Sequence, residues 1–519
     1  MRTEADPGLL RSSTVVAVGT ALSRITGFVR VAAITYALGA SNLSDAYNLA
    51  NTTPNIVYEL ILGGVLSATL VPVVITSLER DDDGVSAIAS VATAALVVLT
   101  SVAILAAPWI MRIYTLPRDA EEAAALTAVG VPLMRLLLIQ ILFYGLTTLA
   151  TALLNAHGRF AGPAFAPVLN NLVVSAAMLA LPRVAGRQPD LAQVRDDAGL
   201  IWFLGLTTTA GIVAMTVVLW PSIAATGTRL RWRFDLRHPA VRQVARLSGW
   251  TVGYVAANQV AFAIVSTLAN RREGDVSAYQ YAFVFFQLPH GLFAVSLMTT
   301  FVPALARAAG SEDRDRFERR FAFGLRALGA GIFPAAVGYV TIGRPLVAAL
   351  LERGRFDAAD VAVTADVLQN FALGLAGFSV YLYVLRAFYA LQDTKTPFRL
   401  NLVENGLNVA LAVALVGPLG VQGLALAHAL AYTVAAGAAL WVLRQRIGGL
   451  GGWLTGRSLA TTATAAVAMG IAVAFAAASF GGPSGIDAVV RALGGVVIGA
   501  AVYVALLLVA PSVRPAPTR

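Results

Sequence analysis

Apolar stretches of about 20–30 residues follow one another along almost the whole of this chain of 519 residues, and no other feature limits its fold so tightly. An α-helix rises 1.5 Å per residue, so about 20 apolar residues cross a hydrocarbon core of about 30 Å. Inside lipid, only helices and closed barrels satisfy their own backbone hydrogen bonds. Barrel strands would be about 10 residues long with alternating polarity, and no such pattern occurs here. Composition agrees: 58% of residues are hydrophobic and 13% charged, against roughly 25% charged in soluble domains. The reading is an all-α polytopic membrane protein.

Spans are expected near 12–38, 46–78, 85–111, 121–155, 161–182, 198–225, 243–270, 276–306, 321–350, 359–391, 397–417, 420–443, 458–480 and 486–511, about 14 in all. No cleavable leader is expected, because Met1–Leu10 is short and polar and the first apolar run continues into a full span. With the N-terminus inside, 24 Lys and Arg fall on cytoplasmic segments and 11 on external ones; Arg24, Arg30 and Arg135 lie within spans. The positive-inside bias therefore puts both termini in the cytoplasm of a multi-pass inner-membrane protein. It also accounts for the net charge of +10 without nucleic acid. There are no cysteines, so disulfides, thiolate nucleophiles and Cys-held metals are excluded. Four scattered histidines show no ligand spacing.

The two halves look related. Ala46-Tyr47 opens span two and Ala278-Tyr279 opens span eight, 232 residues later. Pro54 and Val71-Pro72 in span two correspond to Pro289 and Val302-Pro303 in span eight. Pro163 and Asn171 correspond to Pro397 and Asn405 at an offset of 234, with the same gap of eight. Six spans per repeat preserve orientation, so two pseudo-symmetric six-helix lobes with a path between them are expected, plus two extra C-terminal helices. The expected divisions are 1–227, 228–447 including a basic linker, and 448–519.

Charged residues within spans mark candidate sites. Arg24 and Arg30 in span one are separated by about 9 Å of rise, and Gly27 between them is a place for a bend or unwinding that would bring them together. The planar guanidinium fork suits phosphate oxygens. Snorkelling to an interface or pairing with an acid is the alternative. Span two carries Asp45, Asn48, Thr52, Asn55 and Glu59 within roughly 80° at about 100° per residue. Such a stripe needs a wet cavity or a polar neighbouring helix. Pro54 interrupts the backbone ladder of that helix. Span eleven repeats the theme with Asn401, Glu404, Asn405 and Asn408. Asp45, Glu59 and Glu404 are candidates for carrying a coupling ion. Arg135, Arg386 and Asn258 read as structural, and Asp81-Asp82-Asp83 as a solvated turn.

These residues resemble the MurJ/MviN lipid II flippase family. The resemblance rests on Ser23-Arg24-x-x-Gly27-Phe28-x-Arg30, Asp45-Ala46-Tyr47, Pro54-Asn55, Gly63-Gly64-x-x-Ser67, Gln287-Leu288-Pro289-x-Gly291, Gly354-Arg355-Phe356-Asp357 and Arg386 through Pro397. The richness in Ala, Val and Arg is closest to actinobacterial members. The resemblance implies the multidrug/oligosaccharidyl-lipid/polysaccharide exporter superfamily, alternating access, and a transporter rather than an enzyme. It implies a cationic cavity for a pyrophosphate-linked disaccharide-pentapeptide on an undecaprenyl or decaprenyl chain. Helices 13 and 14 would form the groove for that tail. By position, Arg24, Arg30 and Asp45 match cavity residues of the family, and Asn48, Asn55 and Glu59 join them as substrate-binding candidates. Two positions depart from the pattern: Tyr58-Glu59 and Phe283-Val284-Phe285 stand where many relatives carry basic residues. No cofactor is expected; the drive would be membrane potential, Na+ or H+. Partners would be lipid II, membrane lipids and cell-wall synthesis or regulatory proteins. Another polyprenyl-linked glycan or a drug is the alternative cargo. A membrane glycosyltransferase or phosphatase is disfavoured, because the acids lie in stripes within spans and the histidines have no partners in sequence. The absence of G-x-x-x-x-G-K-[ST] speaks against direct ATP drive.

Overall fold

The computed structural model describes residues 7–61, 70–79, 83–310, 313–477, 479–482 and 484–509. The Gly63-Gly64-x-x-Ser67 motif and Asp81-Asp82 lie outside them. Regular structure among the described residues is entirely helical, as lipid solvation of the backbone requires. Among the described residues, twelve helices are long and apolar enough to cross a membrane.

Contacts divide the chain into two compact units, residues 1–274 and 275–519. The first contains α1 (Pro7–Leu38), α2 (Asn42–Ile61), α3 (Val71–Glu79), α4 (Gly84–Tyr114), α5 (Ala120–Leu138), α6 (Gln140–Ala156), α7 (Ala161–Val184), the short α8 (Leu191–Asp196), α9 (Ala198–Val217), the short α10 (Trp220–Ala224) and α11 (Pro239–Ala269). The second contains α12 (Asp275–Pro289), a π-helical turn (His290–Ala294), α13 (Val295–Gly310), α14 (Arg314–Leu351), α15 (Ala358–Ala390), α16 (Lys395–Ile447), α17 (Gly452–Ala477) and α18 (Gly485–Val509). The long helices fall on the expected apolar runs, while the short α8 lies in the loop expected between residues 182 and 198; the expected count of about 14 differs from twelve because two expected spans are joined in α16 and the span expected at 46–78 includes residues outside the described ones.

In the first unit α1 packs along α7, while α11 packs on α2, α3 and α4. By contacts the first unit thus runs to Gly274, whereas the sequence repeat marks the lobe after residue 227. Repeat and packing boundaries answer different questions: one follows sequence correspondence, the other where side chains interlock. In the second unit α17 and α18 pack on α14, around Ile342, Ala466, Met469, Val473 and Tyr503.

Helix α16 contains two expected segments. At Gly420 the backbone leaves the helical region (φ 59°, ψ −143°), a conformation that glycine adopts without the Cβ penalty. The ends of this helix meet at one point. Asp393 accepts hydrogen bonds from the N–H groups of Lys395 and Thr396, both 3.0 Å, capping the start of α16. Arg446 from its last turn pairs with Asp393, donates to the Thr396 hydroxyl at 3.0 Å and lies over the Phe388 ring. Burial acts to raise the pKa of the Asp393 carboxyl; the Thr396 hydrogen bonds, the Arg446 charge and the Lys395 N–H outweigh it and hold the group below the usual value. A lowered carboxyl contributes stability above its ordinary pKa and loses it as pH falls through the lowered one. Arg446→Gln should therefore cost about 0.2–1 kcal/mol near neutral pH, with the difference from the parent vanishing in acid. Thermal unfolding of both proteins across that range checks it.

Candidate functional site

Helix α1 is unbroken through Gly27, so the bend or unwinding expected there is not what this glycine provides. A Cβ at residue 27 would sit 3.5 Å from the Asn171 amide nitrogen. That nitrogen donates to the Ser23 carbonyl at 3.0 Å and to the Thr26 hydroxyl at 3.1 Å. Glycine thus lets α7 approach and pin α1, and the two arginines keep their helical separation. The apolar stretch runs from Thr14 to Leu38. Arg24 stands ten residues from one end of it and Arg30 eight from the other. Arg24 is exposed and Arg30 half-buried. The Arg30 Nε is buried and meets no hydrogen-bond acceptor among the described residues. A buried guanidinium donor without a hydrogen bond costs free energy.

Tyr47 and Thr208 of α9 place their hydroxyls 3.1 Å apart. Tyr144 donates to Asn55 Oδ1 at 3.0 Å, and its ring lies 4.3 Å from that of Tyr58. The α2 stripe is therefore divided. Asn48 and Thr52 are buried, and the Asn48 amide donates to Ser44 Oγ at 3.4 Å. Asn55 is half-buried beside Tyr144, and Glu59 is exposed at the far end. Tyr144, Tyr58 and Asn55 bring hydroxyls and an amide together between α6 and α2, groups that suit sugar and phosphate oxygens. Tyr144 was not singled out in the sequence, because an aromatic in an apolar span reads as packing, and Tyr58 entered only as a departure from the family's basic pattern.

Asp45 has a different setting. Its side chain is 0% exposed and pairs with Arg118 at 3.4 Å. It also accepts the Gly274 N–H at 2.7 Å. Arg118 further donates to Asn270 Oδ1 at 3.1 Å and Glu122 Oε2 at 2.9 Å. Glu273 accepts the Asn42 N–H at 3.1 Å. The chain after α11 is thereby clasped to the start of α2 and to the α4–α5 turn. Gly274 has φ 80°, and a Cβ there would lie 2.3 Å from the Ala40 carbonyl oxygen, so glycine is required. Asp45 is thus part of a closed clasp. Arg118 gave no signal in sequence beyond a loop charge.

In the second unit, Glu404 is 1% exposed and neither carboxyl oxygen meets a donor among the described residues. Asn401, Asn405 and Asn408 are buried along the same helix. Phe283 stands where the family resemblance leads one to expect a basic residue nearby. It packs with Phe286, Phe371 and His428, ring centroids 5.4–5.8 Å apart. An aromatic nest around a histidine replaces a charge there.

Residues 34–486 match the sequence profile of the family described as MurJ, lipid II flippase. The lipid II flippase MurJ of Burkholderia cenocepacia is 30% identical over 79% of this chain and 80% of its own length. The probable lipid II flippase MurJ of Rhizobium tropici is 27% identical, covering 82% and 78%. In fold, the chain resembles a solved MurJ in an inward closed conformation, with TM-score 0.77 and 20% identity over 95% of this chain and 98% of that one. An inward-facing multidrug resistance transporter of the MATE family, of the MOP superfamily, gives a TM-score of 0.67 at 13% identity, covering 82% of this chain and 95% of that one. With a profile matched over most of its length, this chain belongs to the MurJ lipid II flippase family.

Proposed function

We propose that this protein moves lipid II, the lipid-linked peptidoglycan precursor, from the cytoplasmic to the external leaflet by alternating access of its two units. The observation that carries the proposal is Arg30, a guanidinium in mid-span whose Nε is buried and meets no acceptor among the described residues, in a chain of the MurJ lipid II flippase family. Desolvating a bare pyrophosphate in lipid costs far more than any single contact returns. Arg30 and Arg24 would replace its hydration, and Asn48, Asn55 and Glu59 would meet the sugars. Glu404, Glu59 or Asp45 would carry a coupling Na+ or H+. Moving negative charge outward is itself downhill by about 2.3 kcal/mol per charge per 100 mV. The protein would act as a transporter and not as an enzyme, in the cytoplasmic membrane with both termini inside, as the loop arginines favour.

The tail would lie in the second unit. A cavity of about 410 Å³ is lined by Pro289, Phe293, Gly338, Tyr339, Met469 and Gly499 among others, nearly all apolar. Helices α14, α17 and α18 form most of its wall, consistent with the groove expected from helices 13 and 14. A Cβ at Gly338 would meet nothing within 4 Å. Gly338→Leu should fill the groove without strain and raise helix propensity, leaving the protein folded while transport falls about tenfold, roughly the value of one displaced apolar group. Wild-type transport by a well-expressed variant would remove the groove from the pathway.

The function itself is tested by depletion. Lipid II should become trapped at the cytoplasmic leaflet when the protein is withdrawn. Unchanged exposure at the outer surface, with another polyprenyl-linked glycan trapped instead, would reassign the cargo.

A further inference from the structure

The segment joining α10 to α11 alternates in chemistry. Arg229, Arg231 and Arg233 occupy odd positions; Leu230, Trp232, Phe234 and Leu236 occupy even ones. The structure holds this segment against the bundle. The N–H groups of Arg231 and Arg233, two residues apart, donate to Ser86 Oγ at 3.2 Å and Ser90 Oγ at 2.8 Å on α4. That period-two pattern is the one an extended chain presents, with side chains thrown alternately to either side. Arg233 pairs with Asp83, and Thr228 lies 3.3 Å from His157 Nε2. The segment is thus tied down by two backbone N–H groups and by the Thr228 and Arg233 side chains.

Its apolar side chains are exposed. Trp232 is 70% exposed, and Leu230, Phe234 and Leu236 are exposed with it. Four large apolar groups in register on a fixed backbone would be an aggregation hazard in water. Their depth gives them a use. Helix α4 has 31 residues, about 46 Å of rise, against a hydrocarbon core of about 30 Å. A centred helix overshoots the core by about five residues at each end. Ser86 and Ser90 therefore straddle the boundary between headgroups and acyl chains, and the segment tied to them lies at that level. Tryptophan favours this zone, and arginines there face headgroup phosphates.

We propose that residues 229–237 form a membrane-surface anchor, with Leu230, Trp232, Phe234 and Leu236 inserted among the upper acyl chains and Arg229, Arg231 and Arg237 binding anionic phospholipid headgroups. The anchor fixes the height of the chain between α10 and α11 relative to the bilayer. Anionic lipid is the occupant because the free charges of the segment are basic: Arg233 is already met by Asp83, and Asp235 accepts the Arg237 N–H at 2.9 Å. The inference stands apart from the cargo assignment.

The absence of native cysteine makes the test direct. Trp232→Cys in the full-length protein is labelled with an environment-sensitive fluorophore and reconstituted into phosphatidylcholine vesicles with and without phosphatidylglycerol. Val467→Cys, exposed near the middle of α17, gives a deep-lipid reference, and Arg187→Cys a water reference. Complementation by each variant shows that it folds. The expected result at residue 232 is blue-shifted emission, quenching by acyl chains brominated near the headgroup, and a further shift with phosphatidylglycerol. That further shift should be lost in Arg229→Gln/Arg231→Gln/Arg237→Gln. Emission matching the water reference overturns the anchor. So does blue-shifted emission that bromine does not quench, which would mean burial against protein. Identical emission in both vesicle types overturns the anionic-lipid assignment.

Discussion

Arg30→Ala should abolish lipid II exposure at the cell surface while protein abundance stays normal. A charge-assisted hydrogen bond is worth about 1.5–3 kcal/mol, so losing one guanidinium from the site reduces transport by roughly 10- to 150-fold. Arg30 makes the sharper test than Arg24, because its Nε is buried and meets no acceptor among the described residues, whereas Arg24 is exposed. The substitution removes an unsatisfied donor, so the fold should lose little. Arg30→Lys keeps the charge without the fork and should recover only part of the activity. Tyr144→Phe, which removes the donor to Asn55, should give a smaller loss of the same kind. If Arg30→Ala cells display lipid II normally, Arg30 is not where the pyrophosphate binds.

The second large effect concerns stability. Asp45 and Arg118 are 0% and 1% exposed, and removing one member of a buried pair strands the other at a cost of about 3–5 kcal/mol. Asp45→Asn keeps an acceptor for the Gly274 N–H yet leaves the Arg118 charge with only the half-exposed Glu122 as a counter-ion. It should lower the unfolding temperature markedly. Arg118→Leu should do the same by stranding Asp45. The double variant Asp45→Leu/Arg118→Leu should be less destabilised than the sum of the singles, because no charge is left behind. Strict additivity would show that the two side chains do not depend on each other. Loss of transport in Asp45→Asn at normal stability would instead favour a direct role in ion or substrate handling.

The clasp also explains why α11 belongs by contacts to the first unit. Its following residues, Asn270, Glu273 and Gly274, are tied to Tyr114, Arg118, Asn42 and Asp45. A unit boundary immediately after Gly274 is where rearrangement between the units would leave these contacts intact.

The positions of the helices, the all-α class, the break near residue 420 and the mid-span arginines were all legible in the sequence. So was the family, through motifs that carry their spacing with them. Each depends on local information: hydropathy over about 20 residues, or the fixed conformational habits of glycine and proline. What the sequence could not assign was partners. Asp45 was grouped with the α2 stripe because helical periodicity places it there, yet its carboxylate is answered by Arg118, 73 residues on, and by the Gly274 N–H, 229 residues on. Gly27 looked like a hinge, and only the approach of Asn171 from α7 revealed it as a contact point. Tyr144 gained its place beside Asn55 solely from the packing of α6 on α2. Hydropathy is a property of each segment in its solvent, so it survives in the linear sequence; pairing between distant side chains is a property of how segments pack, so it exists only once they have folded together.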